Sequence, residues 1–136
     1  MYVLDTNVVS ELRRPRPNPN VVDWVGRQAD GLLHLAAVTI GELQAGVERL
    51  RKRDADHAAA LDAWIDDVLA TYAVIPADGP IYRAWARLMG DRPESLYEDA
   101  LIAATAAARG FTVVTRNLRD FKALDVPVVD PFATPR

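Results

Sequence analysis

Five short apolar runs, at Tyr2–Leu4, 33–37, Ala73–Ile75, 111–115 and 126–129, punctuate this chain, with helix-patterned sequence between most of them. That alternation limits the topology. Parallel neighbours need long crossover connections, and helical crossovers cover the faces of the sheet. The expected class is α/β, a short, mostly parallel β-sheet of about four or five strands flanked by helices on both faces. The helical pattern is clear in two places. Leu61, Trp64, Ile65, Val68 and Leu69 form one apolar stripe within 54–72, and Ile81, Tyr82, Trp85, Leu88 and Met89 form another. These aromatic residues read as core or as a subunit interface, not as base-stacking platforms. A shorter helix is expected around 20–27, after the rigid connection RRPRPNPN, another begins at Thr39, and a third spans 96–109, stopped by Gly110.

A chain of 136 residues suits one domain over 1–136 with a substantial core. No apolar stretch approaches the ~20 residues of a membrane span, and no signal-peptide pattern is visible, so a cytoplasmic protein without a membrane partner is expected. The absence of cysteine excludes disulfides, thiolate nucleophiles and Cys-based zinc sites, and two histidines leave little for a His-based centre. A net charge of −3 argues against a general nucleic-acid binder. The charge is uneven, however. Arg13, Arg14 and Arg16 cluster, as do Arg49, Arg51, Lys52 and Arg53, and later Arg116, Arg119 and Lys122. They read either as solvated helix ends or as local phosphate contacts.

In an open α/β sheet, ligands bind beyond the carboxyl ends of the strands. Asp5 follows the first strand, and Glu42 lies in the first turn of the helix after the second. Asp99 sits early in a helix leading to FTVVTRNLRDF, where Thr115, Arg116 and Asn117 end a strand and Asp120 follows. Each has a local alternative. Asp5 suits an N-cap, Thr39 with Glu42 and Ser95 with Glu98 suit capping boxes, Asn117 suits a turn, and Asp120 a surface charge. Asp99 is different, because it opens an apolar helix where a buried carboxylate needs neutralising. Carboxylates brought together repel unless they protonate or bind a cation. An oxygen-only ligand set suits Mg²⁺ or Mn²⁺, and the chemistry it supports is phosphodiester hydrolysis.

The segments VLDTNVVSELRRPRPNPNVVDWV, AVTIGELQAGVERL, DALIAATAAARGFTVVTRNLRDF and VVDPF together resemble PIN-domain ribonucleases of the VapC/FitB type, the toxins of bacterial toxin–antitoxin pairs. The resemblance runs from residue 2 to about 132 and is nearest the FitB-like branch. It implies a PIN-like fold and Mg²⁺-dependent endonucleolytic cleavage of RNA, with Mn²⁺ as a substitute, leaving a 5′-phosphate and a 3′-hydroxyl. By position, Asp5 and Asp99 are the implied metal ligands. Glu42 is implied as a further ligand through water, or as the group that deprotonates the attacking water. The family's fourth acidic position is Asn117 here, which lowers the charge, and Asp120 is a partial substitute. Thr6, Thr115 and Arg116 are implied substrate contacts. The implied partners are a structured RNA such as a tRNA loop and a VapB/FitA-like antitoxin whose tail covers the site. A homodimer, a toxin–antitoxin hetero-oligomer and the bacterial cytoplasm are implied as well. Two rival readings stand beside this one. A haloacid-dehalogenase-like phosphatase would use Asp5 as nucleophile but needs an aspartate where Asn7 stands, and a PIN-like binding scaffold would have lost catalysis at Asn117.

Overall fold

The computed structural model describes residues 1–29 and 31–134 of the chain. Strands β1 (Tyr2–Leu4), β2 (Leu33–Ala36), β3 (Ala73–Ile75), β4 (Thr112–Val114) and β5 (Val128–Val129) form one sheet in the order β3-β2-β1-β4-β5. Every pairing is parallel, with Val3 opposite both His34 and Val113. The expected class and strands are present, the strands trimmed at their ends. Ala37 enters a helix, and Phe111, Thr115, Val126 and Pro127 lie outside the ladder.

Strand side chains alternate between two helical layers, as period-two geometry requires. Val3, Ala36, Ile75 and Val113 face α5 (Gly79–Met89), α6 (Tyr97–Arg109) and α7 (Leu118–Ala123). Leu4, Leu35 and Val114 face α1 (Thr6–Arg13), α2 (Pro19–Gly26) and α4 (Ala55–Thr71). Helix α3 (Ala37–Arg51) pairs with α4 through Val47, Ala58 and Ile65. Trp64 and Trp85 pack against these cores, whereas Tyr82 and Tyr97 are exposed. Helix α7, which the sequence periodicity does not announce, is pinned by fully buried Phe121. Burial of that ring contributes about 2–3 kcal/mol and holds a six-residue helix against the sheet.

Helices α2, α4 and α5 begin at side-chain oxygens. Asn18, Asp54 and Asp78 accept from the backbone N–H of Asn20, His57 and Ile81. Gly110 ends α6 at φ +67°, and Phe111 N–H returns to the Ala106 carbonyl at 2.9 Å. Among the described residues no helix is long and apolar enough to cross a membrane. From β1 the chain runs outward to β2 and β3, then crosses back to β4 and β5 on the other side. The order therefore reverses between β1 and β4, and that switch point opens a crevice at their carboxyl ends.

Candidate active site

Asp5 stands at the floor of this crevice with 5% exposure. Thr6 N–H donates to its Oδ1 at 2.7 Å, and Thr115 Oγ1 and Asn7 Nδ2 donate to its Oδ2 at 2.9 and 3.1 Å. Burial pushes its pKa up, while the bonds from Thr115 and Thr6 pull it down. Asp5 thus caps α1 and is also buried in the crevice. Thr115 is fully buried, and its Oγ1 also accepts the Asn117 N–H at 2.9 Å. It therefore locks Asp5 to the end of β4 and has no hydroxyl surface left for substrate. Asn7, which the sequence reading passed over, accepts the Arg116 N–H at 3.4 Å and so clamps the same two segments. The Arg116 side chain turns away and lies over the Phe132 ring, 4.6 Å from its centroid.

Glu42 arrives differently from expectation. Helix α3 starts at Ala37, two residues before the expected Thr39, with no side-chain cap. Thr39 and Glu42 therefore form no capping box, and Glu42 lies in the second turn. Strand β2 runs straight into the helix, so both side chains turn into the crevice. Thr6 Oγ1 donates to Glu42 Oε1 at 3.1 Å and lies 3.2 Å from Thr39 Oγ1. The Glu42 pKa is pushed up to about 7, by burial first and then by the negative charge of Glu98, with smaller contributions from Asp5 and Asp99.

A short 3₁₀ turn over Glu94–Leu96 leads into α6, which also lacks a side-chain cap. The Ser95–Glu98 capping box is thus not formed, and Glu98 instead adds its charge to the acidic crevice. Asp99, in the first turn, is pushed up to about 6 by burial and by the charges of Asp5, Asp120 and Glu98. Asn117 Nδ2 donates to Asp120 Oδ2 at 2.8 Å and lies 3.4 Å from Asp99 Oδ2. Its amide thus tethers two acids where a fourth carboxylate would repel them. The fold brings together Asp5, Thr6, Glu42, Asp99, Thr115, Asn117 and Asp120. Asn7 and Glu98 join them unannounced: the only sequence signals were a side-chain amide two residues after Asp5 and an acid beside Asp99.

A family model described as "PIN domain" matches residues 2–127. Toxin FitB of Neisseria gonorrhoeae is 35% identical over 97% of this chain and 99% of its own length. VapC ribonuclease Y4jK of Sinorhizobium fredii is 36% identical over 97% and 98%. The chain is a PIN domain of the VapC/FitB type. The solved structure of FitAB bound to an IR36 DNA fragment superposes with a TM-score of 0.87 and 31% identity, covering 100% of this chain and 99% of that one.

The donor set of this PIN domain fits a hard, hydrated cation. Asp5, Glu42 and Asp99 are held near neutrality in proton affinity or shifted toward it, and among the described residues no Lys, Arg or His nitrogen lies within 4.0 Å of them. A partly buried cluster of one sign without counter-charge is the environment that a cation stabilises. Among the described residues no three His, Cys, Asp or Glu side chains form a ready-made cage. Mg²⁺ tolerates that, since it keeps several waters and takes few protein carboxylates.

Proposed function

We propose that this chain, a single PIN domain over 1–136, is the toxin of a toxin–antitoxin pair and an endoribonuclease dependent on Mg²⁺ or Mn²⁺, acting in the bacterial cytoplasm. The observation that carries the reading is the group of three uncompensated acids, Asp5, Glu42 and Asp99, at the switch between β1 and β4. Relatives named as a VapC ribonuclease and a FitB toxin support it, as does the FitAB complex for an antitoxin partner. A homodimer is part of the same proposal.

Asp5 and Asp99 would hold the ion, with Glu42 as a further acid close by. When bound, Mg²⁺ or Mn²⁺ supplies Lewis-acid stabilisation of the charge developing on the phosphate. Glu42, whose proton affinity lies near neutral pH, accepts the proton of the attacking water. The new P–O bond forms as the bond to the 3′ oxygen breaks, and the leaving oxygen takes a proton from solvent water, giving a 5′-phosphate and a 3′-hydroxyl. Thr115 and Asn7 fix the Asp5 carboxylate, and Asn117 restrains Asp99 against Asp120. The phosphatase reading loses its support, because the position needing a second aspartate holds Asn7, whose amide is donated to Asp5.

The test is induction of the chain alone in a bacterium, beside Asp5→Asn and Asp99→Asn, with end-mapped sequencing of cellular RNA. Growth arrest with discrete new 5′-phosphate ends is expected for the wild type alone. If all three proteins are soluble and none produces arrest or new ends, the binding-scaffold reading replaces this one.

A further inference from the structure

Beyond the carboxylates, a groove of about 550 Å³ runs between α1, α3 and α4. Its walls repeat one pattern. Helix α1 contributes Thr6, Ser10 and Arg13, and α3 contributes Glu42, Gly46 and Arg49, each set spaced i, i+4, i+7 along one helical face. Each wall thus starts with a polar crevice residue, continues with a small residue and ends with an arginine. Arg53 extends the α3 row past the helix end, and Trp64 of α4 closes the side, with the Arg13 guanidinium 5.8 Å from its ring centroid.

The groove arginines are free of carboxylate partners. Arg14 and Arg51 are engaged with Glu11, Glu48 and Asp62, whereas among the described residues Arg13, Arg49 and Arg53, like Arg16 and Lys52 beside them, have no carboxylate within 4.0 Å. Gly46 points the same way. A glycine inside a helix lowers stability relative to alanine, yet a Cβ here would meet only the Arg49 guanidinium, at 3.9 Å. Packing does not demand the glycine, and it keeps the middle of the groove open.

We infer that this groove is the track for the RNA strand flanking the cleaved bond, with Arg13, Arg49 and Arg53 contacting successive phosphates. The inference rests on the ribonuclease reading. Seven residues of helix place Arg49 about 10 Å from Glu42 along α3, the scale of a short stretch of nucleotide backbone. A polyanion suits unpaired guanidiniums. Such contacts position a strand without reading its sequence.

The test measures binding of fluorescein-labelled oligouridylate by anisotropy, in Ca²⁺ buffer between about 50 and 200 mM salt. Wild type is compared with Arg13→Ala, Arg49→Ala, Arg53→Ala and the distant control Arg109→Ala, with thermal melts to establish folding. Each groove variant is expected to weaken binding about three- to tenfold. Each is also expected to reduce the log–log salt slope by about 0.7, the value for one phosphate contact on a single strand. Arg109→Ala should change neither. If the wild type cuts cellular RNA while the groove variants keep its affinity and slope, the inference falls and the ribonuclease reading stands. If the variants lose only a deca-glutamate peptide and keep the RNA, the groove is a peptide site and the inference is overturned. If the wild type neither cuts nor binds RNA, both readings fall together.

Discussion

Replacing Glu42 by glutamine should stabilise the ion-free fold, an unusual sign for a substitution in an active site. Glu42 is half-buried, receives one hydrogen bond from Thr6, and shares its crevice with the negative charges of Glu98, Asp5 and Asp99. Its pKa rises from 4.5 to about 7 as a result. A raised acid contributes its full stability below pH 4.5, where it is protonated in both states, and loses it as pH rises through about 7. A displacement of that size corresponds to about 3 kcal/mol. Glu42 is half open to solvent, so screening leaves about 1–2 kcal/mol. Glutamine keeps the shape and still accepts from Thr6. In chelator at pH 8, the melting temperature should therefore rise by about 3–7 °C for a domain of this size. At pH 4.5 the gain should shrink below about 0.5 kcal/mol, since Glu42 is then neutral in the fold and only half ionised in the unfolded chain. Mg²⁺ should reverse the order at pH 8, because a ligand at 100 times its Kd adds about 2.7 kcal/mol to whichever protein binds it better. Scanning calorimetry across the two pH values reads all three arms. A loss of stability in chelator at pH 8, or an equal gain at both pH values, would refute the electrostatic reasoning.

Three further outcomes follow from the same geometry. Thr115→Val removes the hydroxyl donated to Asp5 and the acceptor of Asn117 N–H, both at 2.9 Å, and should lower stability by about 2–3 kcal/mol in urea denaturation. Asn117→Asp turns a tether into a fourth carboxylate beside Asp99 and Asp120, so the ion-free protein should melt lower while Mn²⁺ binding tightens roughly tenfold by calorimetry. Neither change would be expected if Asn117 were only a turn residue. Glu11→Ala removes the buried carboxylate that accepts the Asn18 N–H at 2.9 Å and should cost about 1 kcal/mol with Mn²⁺ affinity unchanged, separating fold support from site chemistry.

The strands were legible because each is a short apolar run, and the helices around 54–72 and 96–109 because their stripes and stops follow simple periodicity. The site was legible in outline, since four segments carry oxygen to one sheet edge. Its details were hidden by an ambiguity in the chemistry itself. A hydroxyl followed three residues later by an acid is the pattern of a helix cap, and Thr39–Glu42 and Ser95–Glu98 both show it. In the fold neither pair caps anything. Strand β2 passes into α3 without a capping residue, which moves the helix start to Ala37 and frees Glu42 to meet Thr6, 36 residues away in sequence. Glu98 is likewise released to add its charge to Glu42 and Asp99. Asn7 and Thr115 hold Asp5 from segments 108 residues apart, which no local pattern encodes. A cap motif can be told from a site residue only by what stands across from it. Here like charges stand opposite one another, an arrangement that opposes folding and that a bound cation would relieve.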